Sequence, residues 1–203
     1  MAVRLPIYMD HHATTPVAAE VFEAMRPYFV ELFGNPASRI HSFGQMAESA
    51  VDAARSQVAG LIGSEPDELV FTSGATEANN LAIKGVAYAY CSKGNHIITS
   101  RIEHQAVLDP CKRLQKDGFE VTYLPVTSTG LVDPDDVARA TTAKTILVSV
   151  MLANNEIGTI QPLREIGGIC RRHRVLFHTD AVQGVGKIPA SVDVLNVDLM
   201  SLT

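Results

Sequence analysis

A chain of 203 residues is long enough for one substantial α/β domain or a domain and a half, and at 46% hydrophobic and 19% charged it has an ordinary globular balance, unlike that of a disordered segment. Its formal net charge of -5 offers no basic excess of the kind a nucleic-acid surface requires. No apolar run approaches membrane-spanning length and no charged-then-apolar leader opens the chain, so neither a membrane span nor export is expected.

In chain order, helical spacing is expected over about residues 18–33, then a polar, glycine-containing loop at 34–44. A second helix, about 45–62, is implied by Ala47, Ala50, Val51, Ala54, Val58 and Leu61 recurring on one face. Short apolar runs then read as buried strands at 69–71, 96–99, 121–124, 146–150, 175–178 and 197–200. Helical stretches at 77–90, 105–116 and 163–173 separate most of them. Strands alternating with helices imply crossovers and an α/β fold with a mainly parallel sheet sandwiched by helices. In such sheets ligands sit beyond the carboxyl ends of the strands, so informative residues should come just after strands.

The basic run Arg171-Arg172-His173-Arg174 falls at a predicted helix end, where cations complement the helix dipole. Cys91, Cys111 and Cys170 are far apart, each within a helical pattern, and an odd count without a C-x-x-C pair argues against a disulfide framework. A reducing, cytoplasmic setting fits.

Four segments after strands carry candidate chemistry. Thr72-Ser73-Gly74-Ala75-Thr76-Glu77 joins a strand to a helix, and small residues there suit a phosphate cradle at the helix N-terminus. The same residues also suit a simple cap, with Ser73 or Thr76 as the capping hydroxyl. Asp180, in His178-Thr179-Asp180-Ala181-Val182-Gln183, reads as a catalytic carboxylate, a metal ligand or a cap for the adjoining turn. His104, in Arg101-Ile102-Glu103-His104, reads as a structural histidine or as one that stacks on an aromatic cofactor and moves protons. Asn154-Asn155-Glu156-Ile157-Gly158 reads first as a turn, and second as an amide reaching into a crevice. No metal is expected, since His11-His12 share no converging frame. No G-x-S-x-G elbow and no G-x-G-x-x-G fingerprint occurs.

Taken in order, Asp10-His11-His12-Ala13-Thr14-Thr15-Pro16, Phe33-Gly34-Asn35-Pro36, Thr72-Ser73-Gly74-Ala75-Thr76-Glu77, Glu103-His104, Asn154-Asn155-Glu156-Ile157-Gly158 and Asp180-Ala181-Val182-Gln183 resemble the cysteine desulfurases. These are class V aminotransferase-like, fold-type I enzymes that use pyridoxal 5'-phosphate (PLP). The resemblance covers essentially the whole chain. It implies that Ala75 and Thr76 hold the PLP phosphate, that His104 stacks on the ring and assists proton transfer, and that Asn155 contacts cofactor or substrate. It further implies that Asp180 pairs with the pyridine nitrogen, Gln183 with the phenolic oxygen, and Thr203 with the phosphate. Residues 1–15 would belong to a small domain and 16–203 to a partial large, PLP-binding domain.

The implied reaction removes sulfur from L-cysteine, giving L-alanine and an enzyme persulfide. A sulfur-acceptor or iron–sulfur scaffold protein would be the partner, and a homodimer the assembly. The sequence stops at Thr203, where the family continues to its Schiff-base lysine, and neither Lys84 nor Lys187 matches that position. None of the three cysteines matches the family's loop cysteine. These 203 residues alone are therefore expected to be inactive. A selenocysteine lyase, another class V aminotransferase, or a naturally short scaffold subunit are the alternatives.

Overall fold

A computed structural model describes residues 5–203. The chain forms two compact units, Met1–Val58 and Ala59–Thr203. In the first lie helix α1 (Ala19–Val30) and most of α2 (Ser42–Ile62). Helix α1 stops three residues short of the sequence expectation because the N–H groups of Glu31 and Leu32 both return to the Pro27 carbonyl, which closes the last turn. Helix α2 starts at Ser42 rather than Gln45, with the Gly44 N–H donating to His41 Nδ1 at 3.2 Å. The loop between them needs its glycines. A Cβ on Gly34 would collide with the Phe43 carbonyl, and one on Gly44 with that of Ser38.

The second unit is built on five strands, β1 (His96–Ser100), β2 (Glu120–Leu124), β3 (Thr145–Ser149), β4 (Leu176–Asp180) and β5 (Leu199–Ser201). Every pairing is parallel and the order is β2-β1-β3-β4-β5. Helix α3 (Ala75–Tyr90) leads into β1, and α4 (Gln105–Lys116), α5 (Pro134–Ala140), α6 (Leu163–His173) and α7 (Val192–Leu195) connect the strands in turn. The core lies on both faces of the sheet. Ile83, Val86 and Ala87 of α3 pack with Val107, Cys111 and Leu114 of α4 against Ile97 and Leu147. On the other face Val137 of α5 and Ile166, Ile169 and Cys170 of α6 cover Ile98, Val148 and Phe177. Strands buried on both faces read as continuous apolar runs, which is why most were legible from sequence.

Three expectations are corrected. Residues 69–71 form no strand: a 3-10 turn, Pro66–Glu68, runs into irregular backbone, and Val70 and Phe71 are exposed. An apolar triplet specifies burial by something, not ladder pairing. Strands β4 and β5 start and end one or two residues later than expected, which makes Asp180 the last residue of β4 rather than a loop residue. Helices α5 and α7 were not anticipated, although Asp133-Pro134 marked the start of α5. The Asp133 carboxylate caps it by accepting the Asp135 N–H at 2.9 Å, and proline takes the first helical position.

The strand order places the topological switch between β1 and β3. The chain moves outward from β1 to β2, then returns to continue on the other side. A crevice at that point, beyond the carboxyl ends, is the expected ligand site.

Candidate active site

The exits of β1, β3, β4 and β5 meet at this end of the sheet. Asp180 closes β4 with 6% of its surface exposed, on the face covered by α3 and in register with Ser201 of β5. Its Oδ1 accepts the Val182 N–H at 3.1 Å, the turn-capping bond foreseen from sequence. Its Oδ2 accepts the Asn79 Nδ2–H at 2.8 Å. A carboxylate accepting one bond per oxygen keeps lone pairs for a further donor.

Asn79 is fully buried and lies one turn into α3, so this bond joins Asp180 to the start of that helix. The helix begins after Gly74, whose φ of 150° and ψ of 177° place it in a region that essentially only glycine adopts. No side chain caps the helix. The Glu77 carboxylate instead reaches back to accept the Ser73 N–H at 2.6 Å, and this bond holds its carboxyl below the usual range. The first N–H groups of α3 are thereby left to an outside acceptor, with the positive end of the helix dipole behind them. A Cβ added at Gly74 meets nothing within 4 Å, so the cradle is open in front.

His104 is the N-cap of α4. Its Nδ1 accepts the Ala106 N–H at 3.1 Å, which puts the neutral imidazole proton on Nε2, and the ring is exposed. Its capping and functional readings are therefore compatible. Asn154, not Asn155, builds the turn after β3. Its Oδ1 accepts the N–H groups of Glu156 and Ile157, and its Nδ2 donates to the Ile102 carbonyl at 2.8 Å. Asn155 is half-buried beside it and donates to Glu156 Oε1 at 3.1 Å. Gln183 is half-buried, its Oε1 accepting Lys187 Nζ–H at 2.8 Å, and Thr203 is exposed two residues beyond β5. The structure thus ties Ala75, Thr76 and Asp180 through Asn79, and the exits carrying His104 and Asn155 through Asn154. Gln183 and Thr203 lie on the adjacent exits without such a tie.

Three residues escaped sequence reasoning. Asn79 was concealed inside a helical pattern, its only signal a polar residue four positions after Ala75 on a face that turns inward. Glu103 is buried at the β1 exit, where its Oε1 accepts the Ser100 hydroxyl at 2.6 Å and the Met151 N–H at 3.0 Å. Burial pushes it up to about 8, and the nearby Asp180 adds to the rise. His178 is also buried, with Nδ1 2.8 Å from Ser149 Oγ and Nε2 3.0 Å from Ser201 Oγ. This relay crosses β3, β4 and β5 on the Asp180 face, and burial pushes His178 down to about 4. A histidine closing an apolar run, two residues before the aspartate, was its sequence signal.

Comparison with known proteins now decides the family: the profile of the class-V aminotransferases matches residues 7–203. The chain belongs to the class-V aminotransferase family. Within the family it is 57% identical to the cysteine desulfurase IscS of Rickettsia rickettsii over 199 residues, 98% of this chain and 48% of that protein. It is 58% identical to cysteine desulfurase IscS of Glaesserella parasuis over 203 residues, 99% of this chain and 50% of that protein. The chain spans about half the length of the curated relatives it matches. Among solved structures, SspA in complex with cysteine superposes with a TM-score of 0.93 at 43% identity, covering 97% of this chain and 56% of that one. A NifS-like protein superposes at 0.92 with 42% identity, covering 96% and 54%. The sheet and its flanking helices are therefore those of this family, as the sequence resemblance implied. Among the described residues no helix is long and apolar enough to cross a membrane, and no group of three or more metal-ligating side chains occurs.

Proposed function

We propose that this chain supplies the cofactor-facing part of a cysteine desulfurase that acts on L-cysteine with PLP. The observation that carries the reading is the Asn79–Asp180 bond. It brings an uncapped helix N-terminus and a buried carboxylate to one side of the same crevice. These residues fit the cofactor: the open space before Gly74 suits a phosphate, and the free lone pairs of Asp180 suit a protonated pyridine nitrogen.

In this reading the N–H groups of Ala75 and Thr76, with the Thr76 hydroxyl, hold the phosphate, and Thr203 adds a contact. Asp180 holds the ring nitrogen and Gln183 turns its amide nitrogen to the phenolic oxygen. His104 covers the ring and moves protons at Nε2. Asn155 contacts the ring or the substrate. When bound, PLP supplies a cationic ring that takes up the electrons released as the α-proton of an amino acid leaves. Asp180 keeps that ring nitrogen protonated, and the buried shell beneath it excludes water.

The products are L-alanine and a sulfur atom passed to a cysteine thiol, then to an acceptor or iron–sulfur scaffold protein. None of the three cysteines takes the sulfur. Burial pushes the Cys111 and Cys170 thiols up to about 12, too high for a thiolate nucleophile. Cys91 is exposed but caps the far end of α3. At 1.5 Å per residue a 16-residue helix puts it roughly 24 Å from the cradle. A cytoplasmic homodimer, with residues 1–15 (the first four of which lie outside the described residues) in a small domain and 16–203 in the PLP-binding one, completes the proposal.

The test is alanine release from L-cysteine by the intact protein supplied with PLP. Activity in the parent and its loss in Asp180→Ala, with PLP binding weakened in parallel, are expected. An intact protein that neither binds PLP nor releases alanine would remove the proposal.

A further inference from the structure

Glu103 is a second buried carboxyl of the crevice. It stands directly before His104, with 5% of its surface exposed. Two donors from different segments converge on its Oε1, the Ser100 hydroxyl and the Met151 N–H, while its Oε2 is buried with no partner. Among the described residues neither Glu103 nor Asp180 joins an ion pair. The titratable groups that bear on it are the Asp180 carboxylate at the end of β4 and the Cys111 thiol on α4. The neighbouring His104 ring is exposed, with Nδ1 occupied as an acceptor. An ionised Glu103 would be an interior anion without a counter-ion beside another carboxylate, and burial and like charge outweigh what the Ser100 and Met151 donors offer it. With two donors on Oε1 and none on Oε2, Oε2 is the oxygen left to carry a proton and Oε1 the carbonyl acceptor.

We propose that Glu103 is a positioning residue that works as a neutral carboxylic acid, pinning the β1 exit that carries His104 to the β3 exit at Met151. It does so across the switch point, where the bond from Asn154 Nδ2 to the Ile102 carbonyl also joins those two exits. Its neutrality also spares Asp180 a second anion. The burial that pushes Glu103 up to about 8 is consistent with this state. The native protein then holds a proton that the unfolded chain releases in the ordinary glutamate range. Stability therefore falls as pH climbs from that range to about 8, and levels off above it. Glutamine keeps an acceptor at Oε1 and cannot ionise.

The functional half of this inference rests on the PLP site proposed above; the proton half does not. The experiment uses the intact protein as wild type, Glu103→Gln and Glu103→Ala. Melting temperature is followed from about pH 5 to about pH 9 without PLP, and PLP is titrated near neutral pH. Glu103→Gln is expected to match wild type at the acid end and to gain on it steadily toward pH 8. It should also bind PLP within about threefold of wild type, whereas Glu103→Ala binds about tenfold more weakly, having lost both clamp bonds. A melting difference between wild type and Glu103→Gln that stays constant with pH would overturn the proton. Equal PLP deficits in Gln and Ala would overturn the clamp. If no form binds PLP, the site reading falls while the pH comparison still decides the proton. If Glu103→Ala does not fold, PLP binding by Glu103→Gln equal to wild type supports the clamp and a deficit overturns it.

Discussion

Replacing Asn79 with alanine tests how Asp180 is held. The side chain is wholly buried and its Nδ2–H meets Asp180 Oδ2 at 2.8 Å. Alanine removes the donor and leaves a buried acceptor unmet, a loss of about 1.5–3 kcal/mol for a charged acceptor. The Asn79 Oδ1 is itself buried without a partner, so its removal relieves an existing penalty and draws the total toward the lower end, about 2 kcal/mol. Urea unfolding of the intact protein without PLP measures it, with the midpoint moving and the slope constant. PLP should restore part of the loss, because a protonated ring nitrogen offers Asp180 a new donor. A change below about 0.5 kcal/mol, the ordinary scatter of surface substitutions, would refute the claim that Asn79 anchors Asp180. So would a larger loss that PLP leaves untouched.

The same geometry sets further expectations. Gly74→Ala meets no clash, yet its backbone angles should cost about 1–3 kcal/mol by thermal unfolding. Gly60→Ala, equally unhindered but within the last turn of α2, should be neutral or stabilising in the same assay. His178 stays neutral in the fold, pushed down to about 4, while the unfolded chain takes up its proton in the ordinary histidine range. Stability is thus lost as pH falls from about 6.5 toward about 4, by about 3 kcal/mol in all, and His178→Gln should flatten that loss in acid melting curves. Over the upper part of that window Glu103 acts in the opposite direction, so the curves are best compared in a Glu103→Gln background. A thiol reagent near neutral pH should modify Cys91 well before Cys111 or Cys170, read by mass spectrometry.

Much of the fold was legible because parallel strands covered on both faces, such as Ile146-Leu147-Val148, advertise burial without needing a period. Leu69-Val70-Phe71 shows the limit of that signal, since apolar content alone cannot tell a paired strand from an uncovered segment. Candidate positions were legible where a polar residue type ends or follows an apolar strand, as with Asp180 and His104, and where a glycine opens a helix, as at Gly74–Thr76. The site was not legible where function depends on a contact distant in sequence. Asn79 meets Asp180 across 101 residues, and Glu103 meets Met151 across 48. Neither separation leaves a local pattern. Asn155 and Asn154 could not be told apart from sequence either, because the choice of which amide closes the turn is made by the Ile102 carbonyl on another strand exit.

The most direct measurement is a crystal structure of the intact protein grown with PLP. Phosphate oxygens are expected about 2.7–3.2 Å from the N–H groups of Ala75 and Thr76, with the same molecule's ring nitrogen on the Asp180 carboxylate. A phosphate bound away from the start of α3, or an Asp180 that faces no ring atom, would contradict it.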